Sequence, residues 1–204
     1  MSHAMPLLSD SESLRAEIYQ LVASLVRQAP DAELLQWLAE LEIERDGSRL
    51  AECWTALSSA ANSSTPQELQ RAHFRHLVGV IQGEVVPYGS WYLNGELMEA
   101  ALVALRRDLR VLGFERCESV CEPEDHLAAV CEVMAMLVAS QSHEQSYFFQ
   151  QHIKPWAGSC FADLAKVDTV FYSALGKLGG AFMESEQASL NDQAAYQPVR
   201  IVEP

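Results

Sequence analysis

An all-α fold is predicted by three features of this 204-residue sequence. Apolar residues recur at three- and four-residue spacing in segment after segment, capping side chains stand just upstream of those segments, and no stretch alternates as a strand would. At 49% hydrophobic content the chain is long enough to bury one sizeable core, so one domain spanning 1–204 is expected.

Leu14, Ile18, Leu21, Val22 and Leu25 mark the first helix, with Ser9, Asp10 and Ser11 as candidate caps and Pro30 as its limit. Asp31 caps a second, whose apolar face is Leu34, Leu35, Leu38 and Leu41; Asp46-Gly47 ends the pattern. Ser48 to Ala61 reads as a third. Thr65-Pro66-Gln67-Glu68 has the form of a capping box with proline at the first helical position, opening a helix to about Leu77. Between Gly79 and Gly95 the period is lost, and a long loop carrying Tyr88, Trp91 and Tyr92 is expected. Periodicity resumes through Leu97, Ala101, Leu105 and Leu109. Pro123 is read as opening the next helix, with Leu127, Val130, Met134, Leu137 and Val138 on one face, and three further helical stretches follow to Met183. From about Ser185 the composition turns polar, so 185–204 is expected to be a loosely held tail. Residues 1–8, opening M-S-H-A-M, are expected to be a tag remnant or disordered.

Acidic residues outnumber basic ones 28 to 14, a net charge of −14 that repels phosphate backbones, so no nucleic-acid partner is expected. The same field attracts a cationic peptide, although it also describes any soluble acidic surface. No apolar run is long enough to span a bilayer and no secretory signal pattern opens the chain, so a cytoplasmic location without stable membrane insertion is expected. Cys53, Cys117, Cys121, Cys131 and Cys160 are scattered and odd in number, which reads as reduced thiols.

Glu122-Pro123-Glu124-Asp125-His126 is the densest ionisable cluster. A helix N-terminus stabilises carboxylates and accounts for Glu124 and Asp125 without any function. An Asp beside a His also suits a base, a metal ligand or a hydrogen-bonding contact to a ligand. His73 and His76, three apart, read as an ordinary helix pair rather than a metal site, and Cys117 and Cys121 have no second pair at zinc spacing. No phosphate loop, dinucleotide fingerprint, zincin motif or nucleophile elbow occurs, so no cofactor and no catalytic residue is assigned. The aromatic clusters Tyr88, Trp91, Tyr92 and Phe148, Phe149, Trp156 fit either helix–helix core or the wall of a peptide groove, and spacing does not decide between them.

Three motifs in order, Pro87-Tyr88-Gly89-Ser90-Trp91-Tyr92-Leu93, Glu122-Pro123-Glu124-Asp125-His126-Leu127 and Phe148-Phe149-Gln150-Gln151-His152-Ile153-Lys154-Pro155-Trp156, resemble the TorD/DmsD family of redox-enzyme maturation chaperones. The resemblance spans roughly His73 to Phe182. It implies a helical bundle of two lobes joined by a hinge or long loop, here 9–78 and 96–184 flanking 79–95, as a monomer or a lobe-swapped homodimer. It implies a non-enzymatic role: binding the twin-arginine leader of the apo catalytic subunit of a molybdopterin oxidoreductase, so that cofactor insertion precedes export. It also implies a leader site of Tyr88, Ser90, Trp91 and Tyr92 with Asp125 and His126 at its polar end, Glu122 and Pro123 fixing the approach to the helix there and Glu124 counted with them among the binding residues. Leu77, Phe149, His152 and Trp156 would support it. Leu77-Val78 stands where many relatives have Leu-Phe, so one aromatic wall of the groove is expected to be missing.

Rim carboxylates suit guanidinium pairing while an apolar groove buries the stretch that follows the two arginines. Two other readings stay open: a chaperone gripping the mature enzyme body without the leader, and a metal-dependent hydrolase using Asp125, His126 and either His143 or His152.

Overall fold

A computed structural model describes residues 9–44, 46–115 and 122–195, with side chains to residue 191. Ten α-helices follow one another: α1 (Asp10–Arg27), α2 (Ala32–Ala39), α3 (Arg49–Asn62), α4 (Pro66–His73), α5 (Gly89–Asn94), α6 (Ala100–Val111), α7 (Leu127–Ala139), α8 (Gln145–Phe148), α9 (Ala157–Leu164) and α10 (Val170–Ala195). No strand occurs among the described residues; one antiparallel bridge joins Tyr88 to His126. The all-α expectation is met.

The caps explain where the early helices start. Ser9 closes a capping box with Glu12, Asp31 Oδ1 accepts from the Leu34 N–H at 2.8 Å, and Ser48 Oγ accepts from the Ala51 N–H at 3.1 Å. Thr65 and Glu68 form the second capping box, with Pro66 in the first turn. α4 then widens into a π turn over Phe74–Val78, and α8 does the same over Phe149–Ile153. Gly79 closes the first of these at φ 66°, where a side chain would be strained and a Cβ would overlap Gln82 O.

α7 is the central element. Leu127, Val130, Cys131, Met134, Ala135, Leu137 and Val138 are all buried, as expected of a helix apolar nearly all round. α1 lies along it, α10 packs on α3 and α9, and Tyr19 meets Phe182 edge-to-face at 4.7 Å. Buried residues from both sides of the 79–95 segment belong to one hydrophobic cluster. Cys53, Cys131 and Cys160 are buried free thiols, and burial pushes the Cys160 thiol up to about 12; Cys117 and Cys121 lie outside the described residues.

Three expectations are corrected. The 79–95 segment is not loop throughout: Gly89–Asn94 is α5, too short for its period to show against the flanking glycines. Residues 185–195 are not tail but the last turns of α10, because Glu186 and Leu190 are buried against the rest of the fold; 196–204 lie outside the described residues. Pro123 does not open α7. The helix begins at Leu127, and the His126 ring nitrogen Nδ1 caps it by accepting from the Ala128 N–H at 3.2 Å.

Candidate functional site

The motifs at 87–92 and 122–127 meet as two antiparallel backbone segments. Leu127 N–H donates to Pro87 O at 2.8 Å and Gly89 N–H to Asp125 O at 2.9 Å, which brackets the Tyr88–His126 bridge. Asp125 Oδ2 then accepts from the Ser90 N–H at 2.8 Å, holding the start of α5. Ser90 Oγ accepts from the Met98 N–H at 3.1 Å, and the Tyr88 ring stands edge-on to the His126 imidazole at 4.9 Å. A Cβ at Gly89 would press on the Trp156 indole at 3.1 Å, so glycine lets this backbone approach the ring.

Asp125 and His126 are both buried, at 3% and 4% exposure, and stand just before α7 rather than in its first turn. Burial, with Arg27 and His73 nearby, pushes the His126 imidazole down to about 3, so it is neutral and its Nδ1 is committed to the cap. The two oxygens of Asp125 differ. Oδ2 is held by Ser90, while Oδ1 is buried with no hydrogen-bond partner among the described residues.

Asp125 lines a cavity of about 120 Å³ with Gly89, Asp108, Tyr147, His152 and Trp156. The π turn after α8 brings His152 within 2.9 Å of Asp108 Oδ2, which also accepts from the Tyr147 hydroxyl at 3.0 Å. Arg107 Nε donates to Asp108 Oδ1 at 2.9 Å; this bond, with those from His152 and Tyr147, holds the Asp108 carboxyl below the usual carboxylate range despite burial. Trp156 Nε1 donates to His152 O at 2.7 Å and the indole stacks on Tyr92, whose hydroxyl donates to Asp163. Sequence reasoning missed Asp108. The signal was there: it lies three residues after Leu105, on the buried face of α6.

Glu122, Pro123 and Glu124 face elsewhere. They line an open cleft of about 860 Å³ between the end of α1, α6 and α7, with an apolar wall that includes Leu109, Val133 and Met136. Arg27 already bridges Glu122 at 3.1 Å and Glu132 at 2.7 Å, and Arg106 holds Glu124 at 2.8 Å. The turn at 123–125 therefore divides two spaces, Pro123 and Glu124 facing the cleft and Asp125 the cavity.

The other expected residues are distributed accordingly. Tyr88 and Trp91 are half-buried, Phe149 and Leu77 belong to the core, and the side chains of His152 and Trp156 wall the cavity. His73 and His76 are buried: His73 Nε2 lies 3.0 Å from Val26 O, and His76 lies between Glu84 at 2.6 Å and Thr169 at 2.8 Å. Among the described residues no three His, Cys, Asp or Glu side chains gather as a metal site, and no helix is long and apolar enough to cross a membrane.

The described residues form a helical protein with one hydrophobic core, a small cavity that Asp108 and Asp125 line, and an open cleft beside it. Residues 44–162 match the family model for the nitrate reductase delta subunit, and the chain belongs to that family. It is similar to the Tat proofreading chaperone DmsD of Salmonella paratyphi A, 29% identical over 168 residues that cover 80% of this chain and 79% of that one. It is also similar to the chaperone protein TorD of Actinobacillus succinogenes, 29% identical over 79% of this chain and 90% of that one. In fold it resembles the crystal structure of a redox enzyme maturation protein from Archaeoglobus fulgidus, with a TM-score of 0.54 at 14% identity, covering 91% of this chain and 99% of that chain.

Proposed function

We propose that this protein is a cytoplasmic chaperone that binds the twin-arginine leader of a molybdopterin oxidoreductase precursor, holding it back from export while cofactor is inserted. One observation carries the reading: Asp125, one of whose oxygens is buried with no partner among the described residues, lines a cavity that Asp108, itself paired with Arg107, also walls. A desolvated carboxylate oxygen is costly unless it receives a donor, and a guanidinium offers five donors on a planar, always-charged group. Glu122 and Glu124 are weaker candidates for that role, because a leader arginine would have to displace Arg27 or Arg106 for no net gain. The adjoining cleft, with Leu109, Val133 and Met136 in its wall, suits the apolar stretch that follows the arginines.

Kinship with relatives named Tat proofreading chaperone and chaperone protein supports the same reading. The test is calorimetric titration with a synthetic leader and with a copy whose two arginines are lysines. Binding of the arginine form, weakened about tenfold or more in the lysine form, is expected, since lysine lacks the fork geometry. Equal binding of the two would remove guanidinium recognition from the proposal.

A further inference from the structure

We propose that the groove bounded by α1, α2 and α3 is a second docking surface, shaped for a basic amphipathic helix of a partner polypeptide. The groove encloses about 350 Å³ and shares no lining residue with the Asp125 cavity or the cleft beside α6. α1 has apolar residues on two sides: Tyr19, Val22 and Val26 enter the core, while Leu14 and Leu21 line the groove. Across from them stand Trp37, Leu50 and Trp54. Trp37 is 51% exposed and Leu14 is 56% exposed, in one contiguous apolar hollow rather than as scattered surface residues.

The rim gives the partner its chemistry. Leu41 and Ile43, half-buried, alternate with exposed Glu42 and Glu44, so one short strip supplies both apolar wall and acidic edge. Glu17 and Asp46 complete the edge, and among the described residues no lysine or arginine lines it. The cleft beside α6 differs, since Arg27 and Arg106 neutralise its acids from within. Arg45, between Glu44 and Asp46, lies outside the described residues; with it counted, four acids to one base still leave the edge net acidic, and an apolar floor inside an acidic rim matches a helix with an apolar stripe flanked by Lys or Arg.

A second copy of this chain is the wrong occupant. A two-fold contact would set Glu17, Glu42 and Glu44 against themselves on a protein that already carries a net charge of −14. An anionic lipid surface meets the same repulsion.

The experiment titrates the full chain into a labelled synthetic helix of leucine and lysine with one apolar stripe, and into the same peptide with glutamate for lysine. Saturable binding of the basic peptide alone is expected. Glu42→Lys with Glu44→Lys should weaken it about tenfold, as should Trp37→Ala, with melting temperature unchanged because these side chains are exposed. Reversal of Glu96 and Glu99, exposed acids outside the groove, should have little effect. The proposal fails if that control weakens binding equally, if the groove variants bind as wild type, or if Asp125→Asn abolishes binding of this peptide. It fails also if the free chain sediments as a dimer that Trp37→Ala dissociates.

Discussion

Asp125 holds Ser90 by one carboxylate oxygen and leaves the other buried with no partner among the described residues, so fold and candidate function rest on two atoms of one side chain. Two substitutions separate them. Asp125→Ala strands the buried Ser90 N–H and should cost about 1–3 kcal/mol of stability. Asp125→Asn keeps an acceptor for Ser90 but removes the charge, so the melting temperature should stay close to wild type while leader affinity falls about tenfold or more. Thermal unfolding beside calorimetric binding reads both, and wild-type affinity in Asp125→Asn would move the arginine site elsewhere.

Local chemistry announced itself in the sequence; long-range pairing did not. Ser9, Asp31, Ser48 and Thr65 cap as their neighbours suggest, because a cap is decided within four residues. The motifs at 87–92 and 122–127 were legible as a site, but not their contact. The Tyr88–His126 bridge draws 123–125 into a turn and buries Asp125, against the local preference of Pro123 for a helix start. Glu122 and Glu124 looked equivalent to Asp125 until Arg27 and Arg106, remote in sequence, were found beside them.

Leu127→Ala should behave opposite to Asp125→Asn. Leu127 is buried at the first position of α7, where losing three carbons leaves a core cavity costing about 2–5 kcal/mol. Urea unfolding should show a lower midpoint, while the folded fraction binds the leader with wild-type affinity. A midpoint unchanged from wild type would mean that the start of α7 is less closely packed than described.

Leader binding should weaken with salt chiefly through slower association. The net charge of −14 steers a cationic peptide through solvent, where ions screen the attraction over a Debye length of about 8 Å at physiological ionic strength, whereas a contact inside the cavity is shielded from ions. Stopped-flow rates at low and high salt should show association slowing much more than dissociation quickens; salt-independent association would rule out steering.

The buried imidazole of His126 predicts a pH dependence of stability. Its folded value, about 3, lies below the ordinary 6.5, so between these limits the unfolded chain binds the proton and the folded chain does not. The contribution is whole above about pH 6.5 and is lost as pH falls toward about 3, at up to about 1.4 kcal/mol per pH unit. His73, also lowered by burial, acts in the same direction. His126→Asn retains an acceptor for the Ala128 N–H but does not titrate, so its stability should fall less steeply than wild type between about pH 6.5 and about pH 5. Urea midpoints across that range decide it, and parallel slopes would show that His126 is protonated in the fold.

Arg15 and Glu186 make the sharpest case for residues 185–195 as part of the fold. Arg15 Nε donates to Glu186 Oε1 at 2.7 Å and its Nη2 to Oε2 at 2.8 Å, a fork-to-fork pair whose side chains are 13% and 3% exposed. Gln145 Oε1 accepts from Arg15 Nη1 at 3.3 Å, so α1, α8 and α10 meet at one guanidinium. Glu186→Ala leaves that charge buried without its partner and should cost about 3–5 kcal/mol. Joint replacement by Arg15→Met and Glu186→Leu removes both charges and should recover most of that loss, because the cost lies in the stranded ion rather than in the missing attraction. A chain ending at residue 184 loses buried Leu190 as well and should melt lower still. The four proteins are compared by thermal and urea unfolding. A truncated chain as stable as wild type would return 185–195 to the status of a tail, and a double variant no better than Glu186→Ala would assign the loss to packing instead.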